Sequence, residues 1–251
     1  TGRRIINWLC WAHLLFDYSV PSFNDRFCRS VARQCAHLNR VSTFDRDGAG
    51  RITALAGQAF GEIVLNGEIS NRLSLSLSEE LSRQVLADGG HASRCPETHL
   101  RVLSDIILMR NAFANSNTGI PEYLNNAIDR MCPIVRFFRH SDGCFGQFNG
   151  GGESNATLIE HILDLAASNG KAPTSIPHSR FERFVAGSMT ILLDTGKPAP
   201  AAIEPFGYAG TLGFEACSGE DRLIVNCGSR ANMAADWLWA SRTTAAHSTL
   251  T

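Results

Sequence analysis

The chain has no long apolar run. No stretch of about 18 residues or more is free of polar interruption, the length a membrane span requires. The most apolar segment, IINWLCWAHLLF from Ile5 to Phe16, is broken by Asn7 and His13 and reads as a buried helix. A strong charge of either sign is also missing: 23 Lys and Arg against 24 Asp and Glu give a formal net charge of −1. That balance leaves no footprint for nucleic acid over the whole molecule. The eight cysteines show no CxxC spacing and no Cys/His cluster, which argues against a zinc ribbon and for free thiols in a core. A chain this long buries its own core without a disulfide framework. GxSxG, P-loop and HExxH motifs are absent, so the usual signatures of serine hydrolases, nucleotide enzymes and zinc proteases are missing. There is no initiator Met at Thr1, and the final HSTLT reads as the middle of a strand. The chain is therefore expected to be a fragment, and the lack of a leader says nothing about export.

What is present is an ordinary globular composition, with 44% hydrophobic and 19% charged residues. In the first two-thirds the apolar period is helical. Phe23, Phe27, Val31, Cys35 and Leu38 follow i+4 and i+3 steps, and Leu73, Leu77, Leu81 and Val85 form a second stripe. Further helices are expected at Ile52 to Leu65, Glu97 to Phe113, Pro121 to Phe138 and Asn155 to Ala167, with Asn155 as an N-cap. Arg3, Arg4, Arg26, Arg29, Arg33, Arg40, Arg46 and Arg51 outnumber nearby acids, which suits either a solvated helix face or a groove for an acidic glycan. DRDGAGRITALA resembles a calcium loop at Asp45 and Asp47, but Ala49 and Ala56 stand at ligand positions, so calcium is not expected.

After about Lys171 the texture changes. SNGKAPTSIPHS is polar and rich in Pro and Ser, which places a domain boundary near 170 and gives domains 1–170 and 171–251. Met189 to Asp194 reads as a strand. In TLGFEAC, Leu212, Phe214 and Ala216 alternate with Thr211, Gly213 and Glu215, and Ser218-Gly219-Glu220-Asp221 turns the chain back into RLIVNCG. This is the start of an antiparallel sheet.

Two segments carry chemistry. In DGGHASRCPETHL, Gly89 and Gly90 permit a tight turn that brings backbone close to a ligand and presents His91 at its tip. Arg94, three residues on, has the fork to pair bidentately with a carboxylate or sulfate. The second segment runs from FGYAGTLGFE to RTTAAHSTLT and holds Tyr208 and His247.

Together these segments resemble the heparinase II/III superfamily. Asp88, Gly89, Gly90, His91, Pro96, His99 and Leu100 fit that family's pattern, while Ser93 and Thr98 stand where Glu and Tyr are common. Phe145 and Phe148, in HSDGCFGQFNGGGE, occupy the neighbourhood of an expected tyrosine, and Phe206-Gly207-Tyr208-Ala209-Gly210 replaces a His-x-His-Ala-Asp run. The resemblance implies a multi-domain α and β architecture, an (α/α) toroid-like helical domain followed by a truncated antiparallel β-sandwich. It implies a carbon–oxygen lyase that cleaves an acidic, uronate-containing polysaccharide by β-elimination in the cell envelope or periplasm.

Such a reaction must neutralise the uronate carboxylate, accept the C5 proton and protonate the departing O4 oxygen. The resemblance assigns catalysis to His91, Tyr208 and His247, and substrate contacts to Arg94, His99 and Asn149. Zinc in some relatives would use the places of Tyr208, Asn226 and His247; only His247 ligates well, so no metal and no cofactor are expected. Two alternatives stay open: a catalytically degenerate glycan-binding protein on the same scaffold, and a hydrolase using carboxylates such as Glu153, Asp142 and Glu215. The expected partner is an acidic polysaccharide, with no nucleic acid and no membrane insertion.

Overall fold

A computed structural model describes residues 1–17, 20–41, 48–116, 118–205, 207–229 and 234–249. Asp45, Arg46 and Asp47 lie outside the described residues. The chain forms two compact units, one of Thr1–Ser82 with Asp105–Asn125 and one of Arg83–Ser104 with Asn126–Thr251.

The first unit is helical. α1 (Gly2–Cys10) and α2 (Ala12–Phe16) precede α3 (Pro21–Val41) and α4 (Gly48–Asn66), and α1 packs chiefly on α4. The stripe read from the sequence is the buried one, with Phe27, Val31, Cys35 and Leu38 of α3 in the core. The first apolar segment differs from expectation. Ile5 and Ile6 are buried, but Trp11 breaks the segment into two helices and is exposed together with Leu14 and Leu15. Asp105 is buried here and accepts from Thr53 Oγ1 at 2.8 Å and from Arg3 Nη2 at 2.9 Å. α5 (Asn71–Gln84) buries Leu73, Leu77 and Leu81, the second predicted stripe.

The second unit combines helices with a sheet. α6 (Pro96–Ala114) begins in it, most of α7 (Glu122–Phe137) lies in it, and α8 (Ala156–Leu165) starts from an Asn155 cap whose Oδ1 accepts from Leu158 N at 3.0 Å. Five strands follow: β1 (Ser175–Ile176), β2 (Phe181–Ala186), β3 (Met189–Asp194), β4 (Phe214–Ser218) and β5 (Asp221–Ile224). They form one antiparallel meander in the order β1-β2-β3-β4-β5. The β4–β5 connection is the expected hairpin, with Ser218 paired to Asp221 across Gly219 and Glu220.

β4 departs from its predicted alternation. Leu212 is exposed, and Glu215 and Cys217 are fully buried, with a register irregularity between Ala216 and Cys217. The reason is polar satisfaction: Glu215 faces a set of hydrogen-bond donors, which makes its burial tolerable. A short α9 (Ala235–Ala240) carries the exposed Trp237 and Trp239. No helix among the described residues is long and apolar enough to cross a membrane.

Candidate functional site

The turn from Val85 to Cys95 is built from its own backbone and from Asp88. Leu86 N donates to Gly90 O at 2.8 Å, and Asp88 accepts from Gly90 N at 3.0 Å and Ser179 N at 2.6 Å. Gly89 and Gly90 are needed for packing against protein. A Cβ at Gly89, where φ is +89°, would fall on the carbonyl oxygen of Arg130, and one at Gly90 on the hydroxyl of Ser179.

His91 is therefore an interior residue, only 2% exposed, and the expectation of an exposed loop tip is corrected. Ser93 N donates to its Nδ1 at 3.1 Å, so Nδ1 is the acceptor and Nε2–H donates to Gln84 Oε1 at 2.9 Å. Burial, with His99 and Arg101 nearby, lowers its pKa to about 3. A neutral imidazole with both nitrogens engaged orders the turn.

Arg94 is likewise committed to internal partners. It is 8% exposed, holds Asp194 in a buried ion pair, donates from Nε to Ser179 O at 3.0 Å and stacks on Phe181 with 4.8 Å to the ring centre. Asn149 Nδ2 joins the same cluster, donating to Arg94 O at 3.1 Å and Asp194 Oδ2 at 3.2 Å. Burial pushes the Asp194 carboxyl above its ordinary value, while Arg94, Gly196 N and Asn149 pull against that shift. His99 Nε2 donates to Met131 O at 3.0 Å, and burial lowers its pKa to about 4. The side chains expected to meet substrate at Arg94, His99 and Asn149 thus meet each other and the backbone. The sequence pattern could not reveal this, because Asp194, Ser179 and Met131 come from distant segments.

A cavity of about 500 Å³ in the second unit begins where this turn ends, at Cys95. Cys95, Glu97, Thr98 and Arg101 line it from the start of α6, Gly150, Gly152 and Glu153 from the glycine-rich loop, with Tyr208, Ser229 and Leu238 completing the wall. Glu97 accepts from Gly152 N at 3.2 Å, which ties the loop to the helix. Tyr208 lies against Gly150, where a Cβ would come within 2.5 Å of the phenol oxygen. The Arg242 guanidinium sits 5.7 Å from the Tyr208 ring centre, and the His247 ring meets it edge-on at 6.3 Å.

Burial lowers the His247 pKa while Asp194 opposes the shift, and His247 Nε2 is a buried atom with no hydrogen-bond partner among the described residues. Neither His91 nor His247 lines this cavity itself; His247 reaches it only through its contact with Tyr208. Glu97 and Arg101 were missed in the sequence, although their i, i+4 spacing on the helix after DGGHASRCP puts both on one face.

The three places that hold zinc in some relatives do not fit a metal here. Both ends of the Asn226 side chain are used, Nδ2 toward Glu215 Oε1 at 3.3 Å and Oδ1 accepting from Ser248 N at 2.9 Å, and Tyr208 offers a phenol in place of imidazole. Phe145 and Phe148, at the expected tyrosine position, are buried, with Phe148 packed edge-on against Phe181.

A family described as "Heparinase II/III-like, C-terminal" matches residues 168–251, the stretch that contains the sheet, Tyr208 and His247. The fold is similar to part of heparinase III, whose crystal structure aligns with a TM-score of 0.77 at 14% identity, over 100% of this chain and 46% of that one. The heparan sulfate lyase HepC from Pedobacter heparinus aligns with a TM-score of 0.64 at 17% identity, over 100% of this chain and 45% of that one. "FtsZ-localized protein C" of Caulobacter vibrioides (strain NA1000 / CB15N) is 29% identical over 233 residues, which is 90% of this chain and 39% of that protein. The chain spans less than half the length of each of these proteins.

Proposed function

We propose that the chain is part of a polysaccharide lyase that cleaves an acidic, uronate-containing glycan by β-elimination. In this reading residues 1–170 contribute to a helical toroid, residues 171–251 begin an antiparallel β-sandwich, and the protein works in the cell envelope or periplasm. The observation that carries the proposal is Tyr208, a phenol on the wall of the cavity with Arg242 over its face and His247 at its edge. Arg101 on the same wall pairs with the uronate carboxylate, which acidifies the C5 proton. Tyr208, as the base, takes that proton; the C5–H electron pair forms the C4=C5 double bond, the C4–O4 bond breaks, and a proton returns to O4. His247 holds the phenol in place, and His91 acts only by ordering its turn.

The heparinase names of the structural neighbours support this chemistry by likeness of fold, and the named heparan sulfate lyase supports the substrate class. The test is the ultraviolet absorbance of the 4,5-unsaturated uronate product, measured with purified protein on a panel of acidic polysaccharides. Product on any of them supports elimination, and none on all of them removes it.

A second reading, glycan binding without cleavage, is favoured by two observations. The turn containing His91 is sealed, and phenylalanines stand at the expected tyrosine position. The relative localised with FtsZ extends this reading to a protein placed alongside FtsZ. Polysaccharide affinity without the unsaturated product, together with co-localisation of a fluorescent fusion with FtsZ, is its expected outcome.

A further inference from the structure

Glu215 is the only charged side chain of β4, and it is fully buried. Its carboxylate accepts five hydrogen bonds. Oε1 takes Gln147 N at 2.9 Å, Asn226 N at 3.0 Å and Asn226 Nδ2 at 3.3 Å. Oε2 takes His140 Nε2 at 3.1 Å and Arg222 Nη1 at 3.3 Å. Every group facing it is a donor, which is the environment an ionised carboxylate requires. On the other side of the His140 ring, Cys217 Sγ lies 3.2 Å from Nδ1.

Two of the segments joined in this way, those of Gln147 and Asn226, lead to the cavity. Gln147 is followed by the loop from Asn149 to Glu153 that supplies Gly150, Gly152 and Glu153 to the wall. Asn226 passes the contact on, since its Oδ1 accepts from Ser248 N at 2.9 Å, and Cys227 N donates to Ala246 O at 3.2 Å. His247 is thereby laid beside Tyr208. An apolar side chain at this position would satisfy the packing of a half-buried strand, but it would leave two backbone N–H groups, an Asn and a His without an acceptor.

We infer that Glu215 is the positioning residue of the cavity, fixing the glycine-rich loop and the His247 segment from one point. The inference rests on the proposed function only for what the cavity binds. An amide in place of the carboxylate turns one acceptor into a donor, which opposes either His140 and Arg222 or Gln147 and Asn226. Glu215→Gln keeps shape and volume, so it separates position from packing.

The experiment compares wild type, Glu215→Gln, Asn226→Ala and the buried α8 control Ile159→Ala in two measurements: the ring resonances of His247 by ¹H–¹⁵N spectroscopy, and calorimetric affinity for heparan sulfate. Glu215→Gln is expected to shift the His247 signals and lower affinity about tenfold, a typical effect of losing an outer partner of a site. Ile159→Ala is expected to lower the melting temperature while leaving both readouts at wild-type values. If Glu215→Gln does not fold, Asn226→Ala carries the same expectation, because it removes the relay from Glu215 to Ser248 alone. Unmoved His247 signals in a folded Glu215→Gln or Asn226→Ala overturn the inference. Absence of heparan sulfate binding by the wild type counts against the proposed function, and the His247 signals still decide the role of Glu215.

Discussion

The turn around His91 and the segment from Tyr208 to His247 have the same kinds of side chain and opposite placements. Around His91 the side chains are tied to internal partners, His91 to Gln84 and Ser93, Arg94 to Asp194, His99 Nε2 to Met131 and Asp88 to Ser179, with His99 Nδ1 a buried atom that has no hydrogen-bond partner among the described residues. Around Tyr208 the phenol borders open volume, and its charged neighbour Arg242 is half-buried. A His or Arg in a suggestive motif acts on a ligand only where the fold leaves it without enough internal partners. The first segment is therefore a scaffold, and the second is the place to look for chemistry.

The largest test of this contrast is Asp194→Ala. The substitution leaves the guanidinium of Arg94 buried beside Phe181 without its carboxylate, and loss of one partner of a buried pair costs about 3 to 5 kcal/mol. Chemical denaturation is expected to show that loss. Unchanged stability would mean that Arg94 turns outward and is available to substrate after all. Next in size is Tyr208→Phe. If the phenol moves a proton, turnover falls about 10²-fold or more at unchanged melting temperature. Steady-state rates on whichever polysaccharide yields product make the check, and full activity would shift catalysis away from the cavity wall.

The helices could be read from the sequence because their partners are local in period: Leu73, Leu77 and Leu81 bury on one face whatever lies opposite. The β4–β5 hairpin was legible for the same reason, since its turn chemistry is contained in Ser218 to Asp221. β4's buried face was not. Its inward residue is Glu215, acceptable there only because His140, Gln147, Arg222 and Asn226 converge on it from elsewhere in the chain. β2 went unread because FERFVA follows a Pro-rich stretch and mixes charge with apolar residues. Of the proposed site, Tyr208 and His247 were visible through motif likeness. Glu97 and Arg101 became visible only when the fold brought the start of α6 to the glycine-rich loop.

A smaller effect sharpens the cavity side of the contrast. Gly150, at φ +83°, lets the Tyr208 ring lie on bare backbone, and Gly150→Ala would place a methyl group against the phenol. The expected result is a displaced ring and a loss of turnover or glycan affinity of about tenfold, with about 1 kcal/mol of stability lost to the left-handed conformation. A melting-temperature drop alone would mean that the position of Tyr208 is unimportant to the ligand.

The smallest effect belongs to the sealed side and is read from pH. His91 has a folded pKa of about 3 against an ordinary value of 6.5, so the unfolded chain binds a proton that the folded protein refuses. Its contribution to stability is complete above 6.5 and is lost progressively as pH falls from 6.5 toward about 3. His99, lowered to about 4, acts in the same direction over a shorter window. Over the first pH unit below the unfolded value, each such group removes about 1 kcal/mol. His91→Gln should therefore show a shallower fall in stability between about pH 6.5 and 5.5 than the wild type, with the part due to His99 remaining. Equal slopes in denaturant titrations at the two pH values would mean that His91 is protonated in the folded protein. It would then be exposed enough to carry charge to a substrate, and the distinction between the two segments would fail.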